Sequence, residues 1–129
     1  MHSANYEPHT HPDPSFPVIF HFDTAVKEGQ FCTHWHENLE VLLITEGSVL
    51  VRSDASSFKA EKGNIVVINS NYMHTIHRLT DAAKYYCLII DKSLCNGFGL
   101  DIEEIIFQGL IADNEAKKKF EYIANEIEL

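Results

Sequence analysis

The sequence predicts a mainly β domain, a small antiparallel barrel or sandwich over residues 16–91, followed by two α-helices within residues 92–129. Three observations support this prediction. Apolar residues alternate along the first part of the chain, turn signals recur at short intervals, and the apolar residues beyond residue 100 follow a helical period. No helical segment separates the predicted strands, so the pattern does not favour a parallel sheet with crossover helices.

The strands are predicted from short runs that lie between turn signals. Residues 18–22 show the period-2 alternation of a strand with two distinct faces. Residues 40–45 and 48–52 are joined by a Glu-Gly pair, which predicts a hairpin. Residues 64–68 lie between a Lys-Gly turn and an Asn-Ser-Asn turn. Residues 85–90 are apolar at nearly every position, which predicts a strand covered on both faces.

The helices are predicted from apolar stripes beyond residue 100. Asp101 and Glu104 have the spacing of a capping box, so the first helix is expected to begin there. The second is expected to begin near Asp113 or Asn114. The stripes consist of Ile102, Ile105, Ile106 and Leu110 in the first helix, and of Ala116, Phe120, Ile123, Ala124 and Ile127 in the second. Because these apolar faces exceed what one small barrel needs, we expect a homodimer through the C-terminal helices.

Composition restricts the classes of function. The 129 residues allow one domain, and 10 Lys+Arg against 19 Asp+Glu give a net charge of −9. This acidity disfavours nucleic-acid or anionic-membrane binding by the chain itself. No apolar run has the length of a membrane span or a signal peptide. Three cysteines without a CxxC pair predict reduced thiols and a cytoplasmic location, with Cys32 expected to be a buried thiol or to reach the cavity.

Residues 1–15 are predicted to form a flexible N-terminal arm. The 4 prolines of the chain fall between Pro8 and Pro17, and His2, His9 and His11 are scattered among small and polar residues. A segment that folds over a pocket is the alternative interpretation.

Three side chains are candidates for metal binding. In a strand, His34 and His36 would point to the same face, and Glu40 would join them if the chain resumes that register. Two imidazoles and a carboxylate are ligand types for a divalent metal such as zinc, nickel, iron or manganese. His74 or His77 would supply a fourth ligand from another strand. The alternative is that these histidines bond one another or a polar ligand.

The same residues resemble the two sequence motifs of the cupin superfamily. The first motif has the form H-x-H, three residues, E, six residues, G, and His34, His36, Glu40 and Gly47 meet every spacing. The resemblance implies a double-stranded β-helix barrel followed by the two helices. It also implies that His34, His36, Glu40 and His74 hold one divalent metal inside the barrel.

The second cupin motif is altered in this sequence. Gly63 and His74 match it, but Asn69 and Asn71 replace its proline and second glycine, and Arg78 replaces its last asparagine. These departures change the turn and leave the histidine ligand in place.

Within the cupins, the sequence resembles the N-terminal effector-binding domains of AraC-type transcription regulators. Residues 34–41 with the turn after them, and residues 62–69 followed by His74, are similar to the two halves of those domains. The resemblance covers roughly residues 15–129. It implies a small-molecule effector, often a sugar, dimerisation through the trailing helices, and DNA binding by a separate C-terminal domain that is not in this chain.

The effector pocket is expected to use seven residues: His34, His36, Glu40 and His74, together with His21, Tyr72 and His77. The last three would alternatively be ordinary strand or loop residues. A stand-alone metal-dependent cupin enzyme, a dioxygenase or a sugar isomerase, is the alternative function, since an open metal site activates oxygen or polarises a carbonyl. No acid–base residue beyond the ligand set is evident in the sequence, so the regulator is favoured.

Overall fold

The chain folds into two antiparallel sheets that enclose an apolar interior. The structure is a computed structural model and describes residues 5–10, 16–27, 33–54 and 56–128. In these residues the strands are β1 (Val18–Thr24), β2 (Leu39–Glu46), β3 (Ser48–Ser53), β4 (Ser56–Glu61), β5 (Ile65–Ile68), β6 (His74–Arg78), β7 (Lys84–Ile90) and β8 (Leu110–Ile111). The helices are α1 (Lys92–Gly97) and α2 (Asn114–Glu128).

The interior lies between the two sheets. Within the described residues, one sheet has the strand order β1-β7-β2-β5-β8 and the other has the order β4-β3-β6. Successive side chains of a strand point to opposite faces. Leu42 and Ile44 of β2 therefore pack in the interior, while Leu39 and Leu43 pack on the outer face of the larger sheet. α2 covers this outer face, and the side chain of its residue Phe120 is buried against it.

Strands β5 and β7 have apolar residues on both faces because both faces are covered. On β7, Cys87 and Ile89 belong to the interior, whereas Leu88 belongs to the cluster under α2. The prediction of a doubly covered strand over residues 85–90 is confirmed. The mainly β fold in two antiparallel sheets and a C-terminal helix are confirmed as well, and β8 adds a strand beyond residue 91.

The predicted hairpin of residues 40–45 and 48–52 is wrong. The chain does turn at Gly47, but β2 and β3 belong to different sheets and do not pair with each other. β2 already has β5 and β7 as neighbours on its two edges, so no edge remains for β3. Gly47 has a φ of 69°, and it carries the chain from one sheet to the other. β3 pairs instead with β4 and β6.

The helix predicted to begin at Asp101 is also wrong. Asp101 caps only one turn, through bonds from the Glu104 and Ile105 amides to its carbonyl oxygen. The side chain of Asn69 then holds the backbone of Phe107, accepting from its N–H at 2.8 Å and donating to its carbonyl oxygen at 3.0 Å. These bonds hold the backbone outside a helix, and β8 follows at the edge of β5. The helix that the structure has in this region is α1, which begins directly after β7.

α2 is amphipathic and packs on the barrel. Phe120 and Ala124 are buried against the outer face of the larger sheet, whereas Tyr122 on the same helix is 67% exposed. Among the described residues, no helix combines the length and the apolar character needed to cross a bilayer.

Replacing Phe120 with alanine is expected to lower the free energy of unfolding by about 3–5 kcal/mol, because a buried aromatic ring is lost and a cavity remains. Asn125→Ala, at an exposed position of α2, is the matched control and is expected to change it by less than about 0.5 kcal/mol. Urea unfolding followed by circular dichroism measures both. Equal losses for the two variants would show that α2 does not pack as described.

Candidate functional site

An irregular extended segment positions the histidines. The His34 amide donates to the His74 carbonyl oxygen at 3.1 Å, and the His74 amide donates back at 2.8 Å. This isolated pairing brings the start of β6 beside the segment that precedes β2. The chain then bends at Glu37 and Asn38 before β2 begins. Glu40, the second residue of β2, therefore returns to the side of the histidines.

The four side chains that the cupin motifs single out come together. The Nε2 atom of His36 lies 3.0 Å from Oε1 of Glu40, and the Nε2 atom of His74 lies 3.9 Å from the same oxygen. One nitrogen from each of His34, His36 and His74 lies within 4.8 Å of the other two. His36, Glu40 and His74 are buried, and His34 is partly exposed. We call these four residues the histidine cluster.

The outer ring nitrogens fix the orientation of two imidazoles. Nδ1 of His36 donates to the carbonyl oxygen of Asn38 at 2.9 Å, and Nδ1 of His74 donates to that of Tyr72 at 2.9 Å. A carbonyl oxygen only accepts, so both Nδ1 atoms carry a proton and both Nε2 atoms face the cluster. The Nε2 atom of His74 is buried and has no hydrogen-bond partner among the described residues.

Burial and charge act against each other at these groups. Burial raises the pKa of the Glu40 carboxyl, but the bond from His36 and the charges of His74 and His36 outweigh it and bring the pKa below its usual value. Burial lowers the pKa of His36, and Glu40 more than compensates, so this pKa is raised. At His74 burial prevails over Glu40 and the pKa is lowered. Neutral His74 thus presents a lone pair on Nε2.

These residues fit a divalent metal ion. A buried imidazole nitrogen without a partner is costly unless another group binds it. A second imidazole and a carboxylate lie beside it, and Nδ1–H bonds to carbonyl oxygens are the usual support of metal-binding histidines.

Two residues of the N-terminal segment, Glu7 and His9, lie beside the histidine cluster. The segment pairs with Trp35 through the Glu7 amide, which donates to the Trp35 carbonyl oxygen at 2.9 Å. The Glu7 carboxylate lies 3.2 Å from Nε2 of His34 and accepts from Nε2 of His9 at 2.8 Å. The bond from His9, opposed by burial and aided by nearby histidines, lowers the pKa of Glu7 to about 2. The side-chain NH₂ group of Asn38 donates to Nδ1 of His9 at 3.0 Å.

Sequence reasoning singled out His9 only as one scattered histidine, and it did not single out Glu7. The signal available was the alternative that this segment folds over a pocket. Residues 5–10 lie against residues 34–38, whereas residues 1–4 and 11–15 are outside the described part of the chain.

A cavity of about 430 Å³ adjoins the histidine cluster. Its wall includes Glu7, His9, His34 and Glu40 on one side, and inward-facing residues of β1 and β7 elsewhere. Among the described residues that line the cavity, no lysine or arginine occurs, whereas Glu7, Asp23 and Glu40 are carboxylates. The cavity therefore suits a neutral or cationic molecule better than an anion.

Comparison with protein families decides the identity of the domain. The AraC-like ligand binding domain family matches residues 16–121, most of the chain. The chain belongs to this family. The AraC-like ligand binding domains are cupin-like, which agrees with the two-sheet barrel and with the resemblance seen in the sequence.

Solved structures of other proteins share the fold of this AraC-like ligand binding domain. One is an RmlC-like cupin family protein with a double-stranded β-helix fold from Methanocaldococcus jannaschii, with a TM-score of 0.53 and 18% identity, covering 60% of this chain and 74% of that one. Another is a cupin 2 conserved barrel domain protein from Salinispora arenicola, with a TM-score of 0.54 and 17% identity, covering 70% and 77%. No curated protein sequence matches this chain.

The other residues expected in the pocket of this AraC-like ligand binding domain lie in three places. His21 lines the cavity. Tyr72 lines a separate, open depression near residues 106–110. His77 is buried on β6 and is not among the residues lining the cavity. Ile76, the residue before it, lines the cavity and points to the opposite face of the strand. Cys32 lies outside the described residues.

Proposed function

We propose that this AraC-like ligand binding domain senses a small organic effector in the cavity, beside one divalent metal ion held by His34, His36, Glu40 and His74. The observation that carries the proposal is the buried Nε2 atom of His74, which has no partner among the described residues and lies next to His36 and Glu40. A bound metal would supply a Lewis-acidic position for an effector oxygen. The chain's own groups orient the effector and exclude water from it.

The lining of the cavity favours a hydroxyl-rich effector such as a sugar. Carboxylates and imidazoles accept and donate hydrogen bonds to hydroxyl groups. Ile19, Ile76 and Ile89 supply apolar wall for the carbon skeleton. The volume of about 430 Å³ falls in the range of small-molecule sites.

The signal would pass to a separate DNA-binding domain of the regulator and would depend on a homodimer through the C-terminal helices. Phe120 is buried against the barrel, but Ile123 and Tyr122 of α2 remain 42% and 67% exposed. These side chains leave an apolar strip on α2 for a second copy.

A metal-dependent cupin enzyme is the second candidate. It is favoured by Glu7, whose carboxylate lies 3.2 Å from His34 and would place a second carboxylate beside the metal and its substrate. The two candidate functions are distinguished by recovering the bound molecule after incubation with the protein. A regulator returns it unchanged, and an enzyme returns a product.

Metal binding is tested with His74→Ala, and His77→Ala is the matched control because it is a second buried histidine on β6. Apoprotein is titrated with Zn²⁺, Ni²⁺, Mn²⁺ and Fe²⁺, and thermal unfolding is recorded. A metal at about a hundredfold excess over its Kd for the histidine cluster should stabilise the wild type and His77→Ala by about 2.7 kcal/mol more than His74→Ala. Equal stabilisation of all three proteins would refute the assignment of His74.

A further inference from the structure

A second group of histidine, carboxylate and thiol side chains lies in the same cavity. His21 of β1 is directly opposite Cys87 of β7 in the antiparallel register, so the two side chains share a face of the sheet. Asp23, two residues further along β1, points to the same face. One ligand atom of each residue lies within 4.8 Å of the other two. None of the three belongs to the histidine cluster.

We propose that His21, Asp23 and Cys87 form a second metal site in the cavity, which takes a borderline-soft divalent ion of the zinc class. Thiolate, imidazole and carboxylate are the three side-chain ligands of zinc. The thiolate selects against the hard ions Mg²⁺ and Ca²⁺, which prefer oxygen ligands. This inference does not depend on a metal in the histidine cluster.

The metal-free arrangement already holds two of the ligands. Nδ1 of His21 lies 2.6 Å from Oδ2 of Asp23, so the imidazole N–H donates a hydrogen bond to the carboxylate. A metal ion would bind between the two groups in place of that proton, which would leave to solvent. Both side chains are partly exposed, which leaves the ion a path from solvent.

Cys87 is not a thiolate nucleophile in the absence of a cation. Burial, followed by the charges of Glu40 and Asp23, raises the pKa of its thiol well above the usual value, so the thiol stays protonated without a cation. A coordinating metal removes that proton, which leaves to solvent as the metal–sulfur bond forms. The same carboxylates that raise the pKa attract a cation into the cavity.

Cobalt(II) is the probe, because a thiolate ligand gives it a charge-transfer band in the near ultraviolet that imidazole and carboxylate ligands do not. The reduced 129-residue chain is titrated with Co²⁺. We expect the band in the wild type, its loss in Cys87→Ser, and its displacement by Zn²⁺. Asp23→Asn, which changes a partly exposed side chain, should keep the fold and weaken Co²⁺ binding at this site by about 10- to 100-fold.

Matched variants separate this site from every other thiol and from the histidine cluster. Cys95→Ser replaces a buried thiol of α1 that packs on the outer face of the larger sheet. Cys32→Ser replaces the third cysteine of the chain. Both should keep the band. His34→Ala, which changes the partly exposed ligand of the histidine cluster, should keep it as well, even where it weakens the other site. Absence of the band in cobalt-saturated wild type would overturn the proposal, as would its survival in Cys87→Ser or its loss in Cys32→Ser or His34→Ala.

Discussion

Replacing Gly47 with alanine is expected to lower the free energy of unfolding by about 4 kcal/mol. Gly47 has a φ of 69°, where an alanine side chain is strained by about 1–2 kcal/mol. An added Cβ atom would also overlap the carbonyl oxygen of Ala82 and the hydroxyl of Thr80. Because a backbone oxygen does not move aside like the end of a flexible side chain, the strand connection itself must shift.

Two other glycines separate conformational strain from steric overlap. Gly63 also has a positive φ, 92°, but the nearest atom to an added Cβ is Cδ of Lys117 at 3.9 Å. Gly63→Ala is therefore expected to lose only about 1–2 kcal/mol. Gly97→Ala meets no atom within 4 Å and is expected to change stability by less than about 1 kcal/mol. Urea unfolding measures all three, and a Gly47→Ala loss no larger than that of Gly63→Ala would contradict the described packing.

The barrel was predictable because its signals are local. Strand alternation, turn residues and the spacing of the first cupin motif are all properties of neighbouring residues. The two errors arose from distant contacts. Gly47 was interpreted as a hairpin turn, although the edges of β2 are occupied by β5 and β7. The stripe after Asp101 has a helical period, but the side chain of Asn69, more than thirty residues away, binds the backbone of Phe107 and holds it outside a helix.

In the candidate site, too, the residues close in sequence were predictable, and those brought in by distant contacts were not. His34, His36 and Glu40 are close in sequence, and strand parity with one bend is enough to place them together. Glu7 and His9 reach the cluster only because residues 5–10 pair with the segment at Trp35, and nothing near them in sequence indicates that pairing. The approach of His21 to Cys87 depends on strand register, which alternation alone does not determine.

Replacing His36 with alanine is expected to lower the free energy of unfolding by about 3–5 kcal/mol even without metal. The imidazole is fully buried, and its Nε2 atom lies 3.0 Å from the carboxylate of Glu40, which is itself 8% exposed. Without His36, the carboxylate is left with His74 at 3.9 Å. A buried charge that loses its hydrogen-bonded partner is destabilising by more than the bond itself contributes. Unfolding in the presence of a chelator removes any contribution from bound metal.

A double-mutant cycle assigns that loss to the pair. Glu40→Gln removes the charge and keeps the shape, so adding it to His36→Ala should restore part of the lost stability and leave a coupling energy of about 2 kcal/mol. His21→Ala, which removes an exposed imidazole from an ion pair, is the control and should lose less than about 1 kcal/mol. Strictly additive losses at His36 and Glu40 would mean that the two side chains do not interact across 3.0 Å, and the geometry of the histidine cluster would have to be revised. A positive coupling energy would place the charged pair inside the barrel independently of any metal, because the chelator leaves only the chain's own groups to produce it.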